Sequence, residues 1–203
     1  MTLSAQQGFP FLLAMGTIVQ GWALAEQGQV GEGIGQMRQG VAAYQATGAE
    51  FPRPYFLSLL AEAYGRGEQV GEGLSTLAEA LAMVDKTGER FYEAELYRLK
   101  GQLTLQQGQV SGSAFHGADP HPLTRDPQAE AEACFLKAIE IARKQQAKSL
   151  ELRAVMSLSR LWQQQGKTKE AHHLLAEIYG WFTEGFDTKD LQEAKALIEE
   201  LNH

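Results

Sequence analysis

Five histidines, a single cysteine and a scatter of neighbouring carboxylates are the side chains of this 203-residue sequence that chemistry would draw on first. His116 and His121 flank Asp119, a start towards a metal site. A closed zinc site takes four ligands at Cys/His spacing, and nothing nearby completes the set. His172 and His173 are adjacent, so on a helix they point about 100° apart and do not share one ion as an i, i+4 pair does. Cys134 stands among Ala133, Phe135 and Ile139. It has no histidine within helical reach to act as a base, so it reads as a small core residue rather than a nucleophile. Glu93, Glu95 and Glu199-Glu200 show no paired carboxylates set in the aromatic pocket that acid/base chemistry would require, and read as solvated helix faces. Gly31-Glu32-Gly33-Ile34-Gly35 mimics a phosphate loop. It lacks the Gly-Lys-Ser/Thr of a P-loop and the βαβ unit of a dinucleotide site. No catalytic residue, metal ligand or cofactor is therefore assigned, and the chain is expected not to be an enzyme.

The bulk properties narrow the partner class. With 18 Lys and Arg against 25 Asp and Glu the net charge is −7, and there is no Lys/Arg run. Tracking a phosphate backbone needs clustered cations, so nucleic acid is disfavoured. One cysteine permits no intrachain disulfide. No signal-peptide pattern opens the sequence, and no stretch reaches the ~20 apolar residues of a membrane span. A cytoplasmic location without membrane contact is the expectation.

The elements that position these residues repeat. Gly28-Gln29-Val30-Gly31-Glu32-Gly33 recurs as Glu68-Gln69-Val70-Gly71-Glu72-Gly73, a shift of 40, and Gly108-Gln109-Val110 lies a further 40 on. The same shift carries Ala46-Thr47-Gly48 and Phe51 onto Lys86-Thr87-Gly88 and Phe91. Leu57, Leu60, Ala61 and Tyr64 follow i, i+3, i+4, i+7 spacing. After a turn expected at Gly65-Arg66-Gly67, Gly73, Leu77, Ala80 and Leu81 form a second stripe. Val155, Leu158, Ser159 and Trp162, then Ala171, Leu175, Ile178 and Tyr179, repeat the pair across Gly166. The repeats are placed at 11–50, 51–90, 91–148 and 149–182, all within one domain spanning 1–203. The third is swollen by a proline-rich stretch, 111–127, read as an inserted loop without helix. A terminal helix over 187–202 is expected to cap the array, with Asp187 as N-cap and Phe186 and Leu191 as a hydrophobic staple.

Leu57, Leu60-Ala61, Tyr64, Gly73, Leu77 and Ala80 resemble the tetratricopeptide repeat (TPR) signature, and Val155, Leu158-Ser159, Trp162, Ala171 and Leu175 follow it nearly as well. The period is 40 rather than the usual 34, and Gln20 and Lys100 stand where leucine is expected. Phrases such as Leu60-Ala61-Glu62-Ala63-Tyr64-Gly65 and Tyr179-Gly180-Trp181-Phe182 are similar to the C-terminal repeats of large bacterial signalling ATPases, including those joined to nucleotidyl cyclase or LuxR-type domains. The resemblance implies an all-α, right-handed α-solenoid of four helical pairs plus the cap. It also implies a sensory or protein-binding role, with none of the ATPase or cyclase parts present.

In such a solenoid the first helix of each pair lines the inner face. In the first two repeats that face is expected to carry Trp22, Glu26, Tyr55, Glu62 and Arg66. In the later ones it carries Glu95, Arg98, Gln102, Arg153, Arg160 and Gln164. Aromatic anchors beside mixed charges suit a peptide or a partner protein. Two other expectations remain open. One is a small-molecule effector enclosed near Trp22 and Tyr55. The other is a homodimer paired through the apolar first unit, with Phe9, Phe11, Leu12 and Leu13.

Overall fold

A computed structural model describes residues 9–114 and 126–202. Nine α-helices account for the regular structure of the described residues, with no strand among them. In chain order they are α1 (Pro10–Glu26), α2 (Val30–Ala46), α3 (Arg53–Arg66), α4 (Val70–Thr87), α5 (Glu93–Ala114), α6 (Pro127–Lys144), α7 (Lys148–Gln164), α8 (Thr168–Tyr179) and α9 (Lys189–Leu201). They group into two compact units, Met1–Tyr92 and Glu93–His203.

The first unit holds the hairpins α1–α2 and α3–α4. Its core gathers Ala14, Ile18 and Ala25 of α1, Ile34, Met37 and Tyr44 of α2, and Phe56, Leu60 and Tyr64 of α3. The first hairpin closes on main chain. A Cβ on Gly21 would lie 2.8 Å from the Gly33 carbonyl oxygen, and one on Gly33 would lie 2.5 Å from that of Gly21. Only paired glycines allow this crossing, which is why helix interiors tolerate them here despite a propensity penalty of about 1 kcal/mol each.

The second unit holds α5–α6, α7–α8 and α9. Ala131, Phe135 and Ala138 of α6 pack with Leu152, Val155 and Leu158 of α7, while Ala171 and Leu175 of α8 and Leu191 and Leu197 of α9 close the cluster. The apolar stripes read from the sequence are these buried faces. In α4, Leu81 is only half-buried and Val84 joins the core in its stead. Cys134 is buried in α6 as a core residue.

Three local readings need correction. Helix α3 continues through Arg66, so the turn falls at Gly67–Gln69. Its hydrogen bonds are Glu68 N–H to the Gly65 carbonyl and Gln69 N–H to that of Tyr64, at 2.9 Å. The same two-bond closure ends α1, α6 and α7, where Gln29, Ala147 and Lys167 reach back to Leu24, Ala142 and Trp162; this is the Schellman arrangement. The residue in the left-handed conformation is Gly28, Glu68, Gln146 or Gly166.

The expected loop 111–127 is also shorter than its composition implied. Helix α5 runs to Ala114, and α6 begins at Pro127, capped by the Asp126 side chain, which accepts from the Gln128 N–H at 2.9 Å. The remaining loop residues, 115–125, with His116, Asp119 and His121, lie outside the described residues. Finally, the N-cap of α9 is Thr188, not Asp187. The staple positions therefore shift off Phe186 and Leu191, and the Phe186 ring instead meets Tyr179 at 5.8 Å.

Candidate functional site

The residues expected to face a ligand divide between the units. In the first, α1 and α3 bring Arg66 between two carboxylates: its Nη2 lies 2.5 Å from Glu26 and 3.3 Å from Glu62. Trp22 is half-buried against the core, and its indole Nε1 is enclosed with no hydrogen-bond partner among the described residues. Tyr55 is held by aromatic edges, 5.6 Å from Phe56 and 4.9 Å from Tyr92. Trp22 and Tyr55 thus serve as packing between helices.

In the second unit, Glu95 and Arg98 of α5 do not face solvent. They are 3% and 7% exposed and form a bidentate pair, Nε to Oε2 at 2.8 Å and Nη2 to Oε1 at 2.6 Å. Arg153 of α7 adds a second guanidinium to Glu95 at 3.1 Å and reaches Asp190 of α9 at 3.4 Å. Burial by itself would raise the Glu95 carboxyl. The charges of Arg98 and Arg153 and the Arg98 hydrogen bonds reverse that and hold it below the usual carboxylate range. Arg160 is matched in turn by Glu193 at 3.2 Å. Each charged side chain expected on these helices thus has an intrachain partner of opposite sign.

The surface between α5 and α7 is lined with amide side chains. Gln102, Gln106 and Gln109 descend α5, and Gln164 stands across from them on α7. They rim a cleft of about 230 Å³, floored by Leu105, Phe135 and Leu161 and flanked by Ser157 and Arg160. Gly101 admits the Phe135 ring, whose Cε1 would lie 2.5 Å from any Cβ there. Arg98 also donates from Nη1 to Gln102 Oε1 at 2.7 Å. That bond occupies the Gln102 carbonyl and leaves its two N–H donors for a visitor. Gln102 and Gln164 were legible as face residues. Gln106 and Gln109 were not singled out, although their i, i+4, i+7 spacing from Gln102 marks them as the same stripe. Asp190 and Glu193, which pair with Arg153 and Arg160, lie on the terminal helix α9.

Among the described residues, no three His, Cys, Asp or Glu side chains are placed to hold a metal ion, and no helix is long and apolar enough to cross a membrane. His172 and His173 lie on α8, half-buried and exposed respectively.

No family model matches the chain, and none of the curated proteins matches it. Solved structures do. A kinesin light chain protein of Podosopora anserina with nearly identical TPR-like repeats, in its original and a single-substitution form, aligns at 21% identity. That match covers 95% of this chain and 94% of that one, with a TM-score of 0.61. BtubC (BKLC) from P. vanneervenii aligns at 14% identity over 99% of this chain and 83% of that one, with a TM-score of 0.64. The fold is that of TPR-like helical repeats.

Proposed function

We propose that this chain is a non-catalytic binding module that docks a partner polypeptide on the first-helix face of its second unit. The observation that carries the reading is the cleft between α5 and α7, where amide side chains rim an apolar floor. Such a surface offers hydrogen bonds and burial together, and no group poised for bond-making. The TPR-like fold supports the reading by analogy of architecture. The resemblance of its repeat phrases to bacterial signalling ATPases supports placing the module in a regulator. A volume of about 230 Å³ is below the ~300–1,000 Å³ of pockets that enclose drug-sized ligands, which weighs against an enclosed small-molecule site in this cleft.

A photocrosslinking amino acid at Gln164, beside the cleft, tests this against the same group at Lys137, exposed on α6. Crosslinks to a protein partner concentrated at position 164 are expected; equal yields from both positions would remove the cleft from the account.

A second reading, self-association through α1, is favoured by one observation. Phe9, Leu12 and Val19 are 52%, 49% and 47% exposed. Val19 is the repeat equivalent of Leu59, which is 8% exposed in α3. A sedimenting monomer at about 100 µM loading, roughly a hundred-thousandfold above the dissociation constant of nanomolar pairing, would dispose of it.

A further inference from the structure

We infer that two copies of this chain pair through α1, antiparallel about a twofold axis between Thr17 and Ile18, with large side chains of each copy seated on small ones of the other. The inference rests on the self-association reading above and deepens it by fixing the register. From Phe9 to Ala25 the sequence has no charged residue. A helix that is apolar on every side is ordinarily covered on every side. Here one stripe stays open: Leu12 and Val19 are exposed, and Gly16 and Ala23 are half-buried. Their successive spacings of four, three and four are those by which one helix seats on another.

The molecule itself shows what such a face accepts. A shift of 40 carries Gly16, Val19 and Ala23 onto Phe56, Leu59 and Ala63 of α3, all of them buried. Helix α2 lies antiparallel over that face. Tyr44, near the end of α2, meets the Phe56 ring at 5.1 Å. Val30 and Ile34, at its start, stand 3.2 Å from where a Cβ on Gly67 would lie, just past the end of α3. The open stripe of α1 is therefore shaped for an antiparallel helix.

The order of sizes along the stripe selects a second copy as that helix. Turned antiparallel on itself, the stripe sets Leu12 of one copy against Ala23 of the other, and Gly16 against Val19. Each layer joins a large side chain to a small one, so the two axes approach without a clash. An isologous contact requires self-complementarity of this kind. The stripe is also free of charge, so pairing brings no like charges together although each chain carries −7. Glu26 lies at the rim, opposite Phe9, and is held by Arg66 at 2.5 Å. A single helix pair lies at the small end of the interface range, so a dissociation constant of about 10 µM is expected.

The test uses the full chain in a Cys134→Ala background. Leu12→Cys and Ala23→Cys proteins are mixed in equal amounts at about 100 µM, above that constant, and oxidised. Mass spectrometry separates the mixed disulfide from the two symmetric ones. Chance pairing makes the mixed species equal to the symmetric ones together; the antiparallel register should favour it at least about fivefold, because a disulfide needs Cα atoms within ~7 Å. In sedimentation, Val19→Glu should weaken the dimer more than about tenfold by burying an unpaired charge. Gly16→Val should weaken it about as much by overfilling its layer. Gly16→Val with Val19→Ala, which moves the larger residue across that layer, should return it to within about threefold.

Symmetric disulfides equal to or above the mixed one, a dimer indifferent to Val19→Glu, or no recovery in the double change each overturn the inference. In those cases a dimer still seen in sedimentation leaves self-association standing through another surface. A chain that stays monomeric at about 100 µM removes the register and the self-association reading together.

Discussion

Replacing Glu95 with glutamine removes one charge from the most enclosed polar contact of the second unit. Arg98, 7% exposed, would keep its cation without the carboxylate that now grips it through two hydrogen bonds. Uncovering a buried charge in this way costs about 3–5 kcal/mol. With a urea m-value of about 2 kcal/mol per molar, the unfolding midpoint should fall by about 1.5–2.5 M. Arg98→Met should do comparable damage by stranding Glu95 with Arg153 alone. The double change Glu95→Leu with Arg98→Met should recover to within about 1 kcal/mol of the starting protein, because apolar replacement of a whole buried pair is often neutral. The assay is urea denaturation of all four proteins followed by circular dichroism. The pH dependence carries a sign. Glu95 is held below the ordinary carboxylate range, so its contribution is complete above the unfolded value of about 4.3 and is lost as pH falls through the native one. The gap between wild type and Glu95→Gln should therefore be widest above about pH 4.3 and narrow steadily as the pH is lowered below it. Single changes that each shift stability by under about 1 kcal/mol, or that simply add in the double, would refute the claim that these residues are structural rather than ligand-facing.

Other outcomes follow from the packing. Gly33→Val should destabilise the first unit by more than about 3 kcal/mol, since its added carbons meet the Gly21 carbonyl and Ala25, and a fall in thermal midpoint would show it. Glu68, at φ 59° where the preceding repeat has Gly28, carries left-handed strain. Glu68→Gly should raise stability by about 0.5–1 kcal/mol in the same measurement. Burial pushes the Glu89 carboxyl upward, and one of its oxygens has no partner among the described residues. Its folded value exceeds its unfolded one, so the penalty is complete above the folded value and vanishes below the unfolded one. Glu89→Gln should thus stabilise at pH 7, by at most about 0.5 kcal/mol given solvent screening, and not at pH 3.5.

The helices were legible because apolar positions recur at the helical period: Leu57, Leu60, Ala61 and Tyr64 needed no tertiary information to be found. The buried pair was not. Glu95 and Arg98 carry the composition of a solvated face, and they become interior only because Arg153 and Asp190, 58 and 95 positions away in sequence from Glu95, close over them. Nothing local records that. The end of α5 was missed for a related reason. Ser111-Gly112-Ser113 has weak helix propensity, yet the backbone stays helical through it to Ala114. The cap of α9 was misplaced by one residue because Asp187 and Thr188 are both good N-cap types and only the backbone angles separate them.

The four Schellman closures use main-chain atoms alone, which has a practical result for anyone wishing to attach something to this molecule. Whatever side chain occupies the corner contributes nothing to holding it shut, as the natural exchange of glycine, glutamate and glutamine there illustrates. A reporter group or affinity handle grafted onto Gln146 should pass unnoticed by the fold.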